Sequence, residues 1–218
     1  MTTTTSQQSQ QSVAKRLLEQ AGTTYARESG ITVSDKPMPL FELLVLALLL
    51  STRISAEIAV RAAAELRSSG LTTARHMADA DRQTIIAALG RAHYRRYDES
   101  TATRLHDDAE LVLEKYHGDL RKLASQSGND AETAAQLLEE FSGIGPVGAD
   151  IFLREVQDVW TWVRPYFDSR ALDAARSLHL PADADKLASL VGNNETARLA
   201  AALIRASLDD ELREKVLH

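Results

Sequence analysis

Three observations predict an all-α fold. Apolar residues recur at close to 3.6-residue spacing through nearly every segment, and no run of strict alternation is long enough to build a sheet. Capping residues, glycines and prolines also fall between the periodic stretches, where helices are expected to start and stop. No repeat of fixed period appears, which argues against a helical solenoid.

Taken in order, Val13 to Arg27 reads as a first amphipathic helix, broken by SDKPMPL before an apolar helix from Leu40 to about Ser51. Ser55 to Ser68 follows and ends at Gly70. Thr72 to His76 makes a short turn, Asp81 to Leu89 a helix, and Gly90 leads into the basic loop RAHYRRYDES. Thr101 to His117 is a long helix ended by Gly118, and Leu120 to Ser125 a short one before the polar break SQSGND. Helices over Ala131 to Phe141 and Pro146 to about Val159 flank a glycine-rich bend. After the less regular VWTWVRPYFD, Asp168 opens a helix to about Leu178, and PADADKLASLVG and ETARLAAALIRASLDDELREKVL supply the last two.

Composition narrows the function classes. The absence of cysteine excludes disulfides, thiolate zinc sites, iron–sulfur clusters and cysteine nucleophiles, and is compatible with a cytoplasmic location. The histidines show no metal-ligand spacing, and no P-loop, dinucleotide fingerprint or nucleophile elbow appears. Residues 1 to 12, MTTTTSQQSQQS, are polar and read as a disordered tail, not a signal peptide. LFELLVLALLL contains Glu42 and is shorter than the roughly 20 residues a membrane span needs, so it reads as a buried core helix. The net charge of −6 weighs against nucleic-acid binding unless a local basic patch and backbone amides do the work.

The bend EEFSGIGPVGADIF places Gly143, Gly145 and Gly148 within six positions, with Pro146 between the last two. Gly143 and Gly145 permit positive φ and close approach, and Pro146 suits the first position of the next helix. Helix, hairpin, helix is the expected result. Free amides at the start of the second helix can then hold a phosphate oxygen. A plain interhelical turn with a capping glycine is the alternative reading.

With its flanks, LLEEFSGIGPVGADIFL resembles the helix-hairpin-helix of the endonuclease III and oxoguanine glycosylase superfamily, usually L-P-G-V-G-x-K-x-A before an apolar helix. Asp168 in YFDSRALDAARSL, 21 residues after Val147, is placed like that family's catalytic aspartate. LFELLVLALLLSTRIS is similar to its F-E-L-L-x-x-x-L-L-S-x-Q-T-x. The matches run in order over most of residues 40 to 180.

That resemblance implies two helical domains: residues 13–36 with 157–218, and residues 37–156 carrying the helix-hairpin-helix (131–159), with DNA across the cleft between them. It also implies that Asp168 is the catalytic carboxylate and that Gly143, Gly145, Val147 and Gly148 contact DNA. The carbonyls of Phe141 and Ile144 would hold a monovalent cation. The bifunctional members' lysine is replaced by Val147, which cannot form a Schiff base, and no lysine lies between Lys122 and Lys186. The relatives' four-cysteine iron–sulfur cluster has no counterpart. Arg53 stands where the family inserts a glutamine into the strand and could fill the gap left by an extruded base or contact a phosphate; a solvated helix-end arginine is the alternative reading.

Other residues extend the picture. Arg95 and Arg96 lie in the densest basic patch, RAHYRRY, and could track phosphates, although Asp98 and Glu99 follow and could pair with them. Trp160, Trp162 and Tyr166 precede Asp168 and could stack on a flipped base or simply belong to the core. Asp168 itself carries the signature of a helix N-cap.

The expectation is a monomeric, monofunctional DNA glycosylase of base excision repair. It would act on double-stranded DNA with a damaged base, alkylated bases being preferred, or with an abasic site, and without lyase activity. A catalytically inactive DNA-binding protein, or a helical interaction protein that binds no DNA, are the alternatives.

Overall fold

Local sequence accounts for most of the helix boundaries in the computed structural model, which describes residues 2–218, with side chains from residue 8 onward. Fourteen helical segments are present, and no strand occurs among the described residues. No helix among them is long and apolar enough to cross a membrane.

The first helix, α1 (Thr2–Ala21), extends back through the segment expected as a tail. From residue 8 the reason is visible: Ser12 Oγ donates to the Gln8 carbonyl at 3.0 Å, and Gln10 reaches the His179 carbonyl at 3.4 Å. Met1 lies outside the described residues. At its other end α1 stops before Gly22, and one turn, α2 (Tyr25–Glu28), completes what the periodicity shows as a single helix.

Next come α3 (Pro37–Ser51), α4 (Ala56–Ser68), α5 (Ala74–Ala78), α6 (Arg82–Arg91), α7 (Asp98–Tyr116) and α8 (Arg121–Gln126). Ser55, Thr73 and Asp81 each cap the helix that follows by accepting an amide hydrogen, as their residue types predict. After α9 (Ala131–Leu138), capped by Asp130, the bend leads to α10 (Pro146–Val156). The rest is α11 (Ser169–Ser177), α12 (Ala184–Ala188), α13 (Thr196–Ala206) and α14 (Asp210–Leu217). Asp209 caps α14, so the long C-terminal stretch is two helices and not one.

These helices form two compact units, Ala26–Leu153 and Met1–Tyr25 with Arg154–His218. In the first unit α3 is buried from Pro39 to Leu49, as its apolar character on all sides requires. Leu40, Leu43, Leu44, Leu46, Leu48 and Leu49 are inaccessible or nearly so, each burial stabilising by about 1.5–3 kcal/mol relative to exposure. Helix α3 packs on α4, α6 joins α4 to α7, and α5 lies on α7.

In the second unit α13 packs against α1, α11 and α14. Arg198 Nε donates to the Gly22 carbonyl at 2.9 Å and Arg16 Nε to the Val216 carbonyl at 2.6 Å, tying the chain's two ends together within this unit.

Candidate nucleic-acid interface

The bend between α9 and α10 is held by short-range hydrogen bonds: Phe141 N–H to the Leu138 carbonyl, Ile144 N–H to the Phe141 carbonyl at 3.0 Å, and Ala149 N–H to the Gly145 carbonyl. Its three glycines turn out to serve different ends. Gly143 has φ +86°, and a Cβ there would lie 2.9 Å from Cδ of Arg104, so any other residue is both strained and crowded. Gly148 is buried, where a Cβ would lie 3.2 Å from the Ile144 side chain. Gly145, expected to use its positive-φ freedom, does not; its φ lies outside that region and open space surrounds it. What Gly145 leaves is access, since a residue without a side chain cannot cap α10, and the amides of Val147 and Gly148 have no intrahelical acceptor.

Two other segments of the same unit meet this bend, and a third is bonded to both of them. From the end of α3, Ser51 Oγ shares its one proton between the Leu48 carbonyl at 2.8 Å and the Gly143 carbonyl at 3.2 Å. Thr52 is joined to the buried Tyr94 hydroxyl at 3.0 Å, and Tyr94 to Thr101 at 3.1 Å, which anchors the basic loop beside the α3 end. Arg53 and Arg95–Arg96 flank this anchor and are exposed. From α7, Arg104 lies against Gly143 and Asp108 accepts the Ser142 N–H at 2.6 Å.

Most of these cations are uncommitted. Arg53, Arg95 and Arg104 make no hydrogen bond or ion pair among the described residues, and Arg96 lies only over the Tyr97 ring, 5.2 Å from its centroid. Arg91 of the same basic stretch is different, because Glu65 and Ser69 hold it at 2.7 and 2.6 Å. The expected pairing of the loop with its own acids does not occur for Arg95 or Arg96. Asp98 instead turns back to accept the Glu99 amide.

Asp108 is the site's anomalous acid. Burial pushes its carboxyl up to about 7, opposed by the Ser142 hydrogen bond, raised further by Asp107 and lowered by Arg104. Its Oδ2 is buried without a hydrogen-bond partner. Val147 is 62 % exposed, an unusual position for valine. The carbonyl of Phe141 accepts the Ile144 amide, which occupies one of its two lone pairs.

The remaining candidates belong to the other unit. Asp168 is buried and caps α11, its Oδ1 accepting the Ala171 N–H at 2.9 Å while Oδ2 accepts from the buried Arg154 guanidinium. Trp160 is buried and stacks on the partly exposed Trp162, with centroids 5.4 Å apart. Gln157 clamps the backbone of Tyr166, donating to its carbonyl at 3.0 Å and accepting its N–H at 2.9 Å.

Sequence reasoning missed Ser51, Arg104, Asp108 and Arg154. Arg154 had a signal, since it is a charge inside the apolar run IFLREV, where burial demands a partner. Arg104 and Asp108 share a face of α7 at i, i+4, but nothing local says which face meets the bend.

No protein-family model matches this chain, and no curated protein sequence matches it significantly.

Proposed function

We propose that this chain is a helix-hairpin-helix DNA-binding protein that acts as a monofunctional DNA glycosylase. The observation that carries the binding half is the N-terminus of α10 at an open glycine, with Arg104 beside Gly143, and with Arg53, Arg95 and Arg96, which have no acidic partner among the described residues, on segments of the same unit tied together through Ser51, Thr52 and Tyr94. Backbone amides at a helix start suit a phosphate, and uncommitted guanidiniums supply the counter-charge that the acidic chain otherwise lacks. A monovalent cation on the carbonyls of Phe141 and Ile144 would add positive charge beside that phosphate.

Asp168 is assigned the chemistry. As the bond from C1′ to the base breaks, its electron pair leaves with the base and the sugar acquires oxocarbenium character. A carboxylate stabilises that charge and accepts the proton of the water that attacks C1′. Arg154 and the Ala171 amide, both donors, are the partners an ionised carboxylate takes. The substrate base must leave the stack, which is least costly for damaged or mispaired bases. Val147 and the absence of a neighbouring lysine support hydrolysis without strand cleavage through an imine.

The enclosure of Asp168 favours a second reading, in which binding is retained and catalysis is not. Both its oxygens have protein partners and its side chain is 4 % exposed. One assay separates the two: incubation with duplexes bearing single alkylated, oxidised, deaminated or mispaired bases, followed by detection of free base. Base release by the wild type and none by Asp168→Asn, with unchanged binding to an abasic-site analogue, supports the glycosylase. Binding without release from any duplex supports the second reading, and no salt-dependent binding at all overturns both.

A further inference from the structure

The helices that carry the bend also carry a second feature at their far ends. Ser51, at the C-terminus of α3, reaches the bend, while the N-terminal turn of α3 lies about 20 Å away at 1.5 Å per residue. Along α7 the same separation divides Arg104 from the turn at His117. There, within the unit Ala26–Leu153, is a half-open cavity of about 810 Å³, within the size range of small-molecule sites.

Its chemistry is specific. Lys36, Arg67 and Arg75 line it against a single carboxylate, Glu42, in a chain of net charge −6. Glu42 is the one charge in the apolar α3, buried, and both its oxygens accept from Nη1 of Arg67, at 3.1 and 3.2 Å. Burying a carboxylate there costs more than a leucine would. What it gains is a guanidinium held in place by one nitrogen, whose Nε and Nη2 make no hydrogen bond among the described residues. Lys36 has no ion pair among them either, and Arg75 has only Asp79 at 3.9 Å. The apolar part of the lining includes Leu113 and the 42 %-exposed Met38, with no Phe, Tyr or Trp to stack on a base or other flat ring.

We propose that this cavity binds a small aliphatic carboxylate, its headgroup on Arg67 with Lys36 and Arg75 alongside, and its chain over Met38 and Leu113. A carboxylate matches the two remaining guanidinium N–H directions, and an aliphatic tail matches the lining. The site is independent of the bend and of the glycosylase reading.

Calorimetric titration with sodium decanoate below its micelle concentration tests this, with decanol and acetate as controls lacking the charge or the chain. Saturable one-to-one binding of decanoate, much tighter than either control, is the expected result. The exposed pair Lys36→Gln with Arg75→Gln should weaken it about tenfold or more without disturbing the fold. Replacing both members of the Glu42–Arg67 pair, whose carboxylate is buried and whose guanidinium is exposed, by Glu42→Gln with Arg67→Gln avoids leaving the buried carboxylate without its cation and should weaken it at least as much. Gly143→Ala should leave it unchanged. Absence of saturable binding, equal binding of decanol, or decanoate binding unaffected by both double variants would overturn the site. So would weaker duplex-DNA binding by Lys36→Gln with Arg75→Gln, which would make the patch a polyanion contact.

Discussion

Helices α10 and α11 begin in opposite ways. The start of α10 follows a glycine that cannot cap it, with its first amides free and unpaired arginines around them. The start of α11 is closed by Asp168, whose carboxylate takes the Ala171 amide and the Arg154 guanidinium. Both ends carry the same partial positive charge. One meets it with an internal anion and is finished as a folding element, whereas the other has no side-chain anion at its cap position, which is glycine. An open helix start is thus informative mainly where the surrounding cations are also open.

The largest way to break this contrast is at the closed end. Asp168→Ala removes the cap and breaks a buried ion pair, and should destabilise by about 3–5 kcal/mol in urea unfolding. Asp168→Asn keeps an oxygen for Ala171 and should cost less.

Next is Asp108, the acid that supports the open end. Its folded-state carboxyl titrates at about 7, above the ordinary 3.8, so the native state holds a proton that the unfolded chain has released. The stability this group contributes is therefore fully present below about pH 4 and is lost as pH rises through 7, at about 1.4 kcal/mol for each pH unit climbed between those two values. Asp108→Asn should flatten the pH dependence across that window and raise the melting temperature at about pH 8. A variant less stable than the wild type under those alkaline conditions would mean that the charge is compensated.

Gly143→Ala should cost about 1–3 kcal/mol through its positive φ and the approach of Arg104, and should weaken duplex binding. Gly145→Ala, two residues on, meets no atom within 4 Å and should change stability by less than about 0.5 kcal/mol. The pair isolates conformational need from access.

The smallest effects on stability belong to Arg53, Arg95 and Arg96. Each change to Gln should leave the unfolding midpoint almost unmoved. For every phosphate that such a change leaves without its arginine, the slope of log binding constant against log salt should fall by about 0.9. If that slope stays constant, these arginines are not the interface.

Much of this architecture was legible locally. Period, caps and glycines located nearly all the helices, because each signal acts within a few residues of the boundary it sets. The failures have a common origin in interactions between residues distant along the chain. The helix through the polar stretch that looks like a tail makes a contact from Gln10 to the His179 carbonyl, 169 positions away, which no local pattern encodes. Arg104 and Asp108 meet the bend across 34 to 39 positions of sequence, which no helical periodicity encodes. Glu42, the lone charge of an apolar helix, and Arg154, a charge following the apolar run IFL, were the exceptions that could have been read. Which unpaired cations would remain after folding was hidden, because Arg91 and Arg95 look alike until Glu65 is seen to claim one of them.

That selective neutralisation also bears on how a duplex would arrive. With net charge −6, most of the molecule repels a polyanion at distances comparable to the Debye length, about 8 Å in physiological salt. Attraction is concentrated where arginines have been left without acids. Productive orientation would then be selected before the surfaces touch, and added salt should relax the discrimination between correct and incorrect approaches as well as slow the encounter.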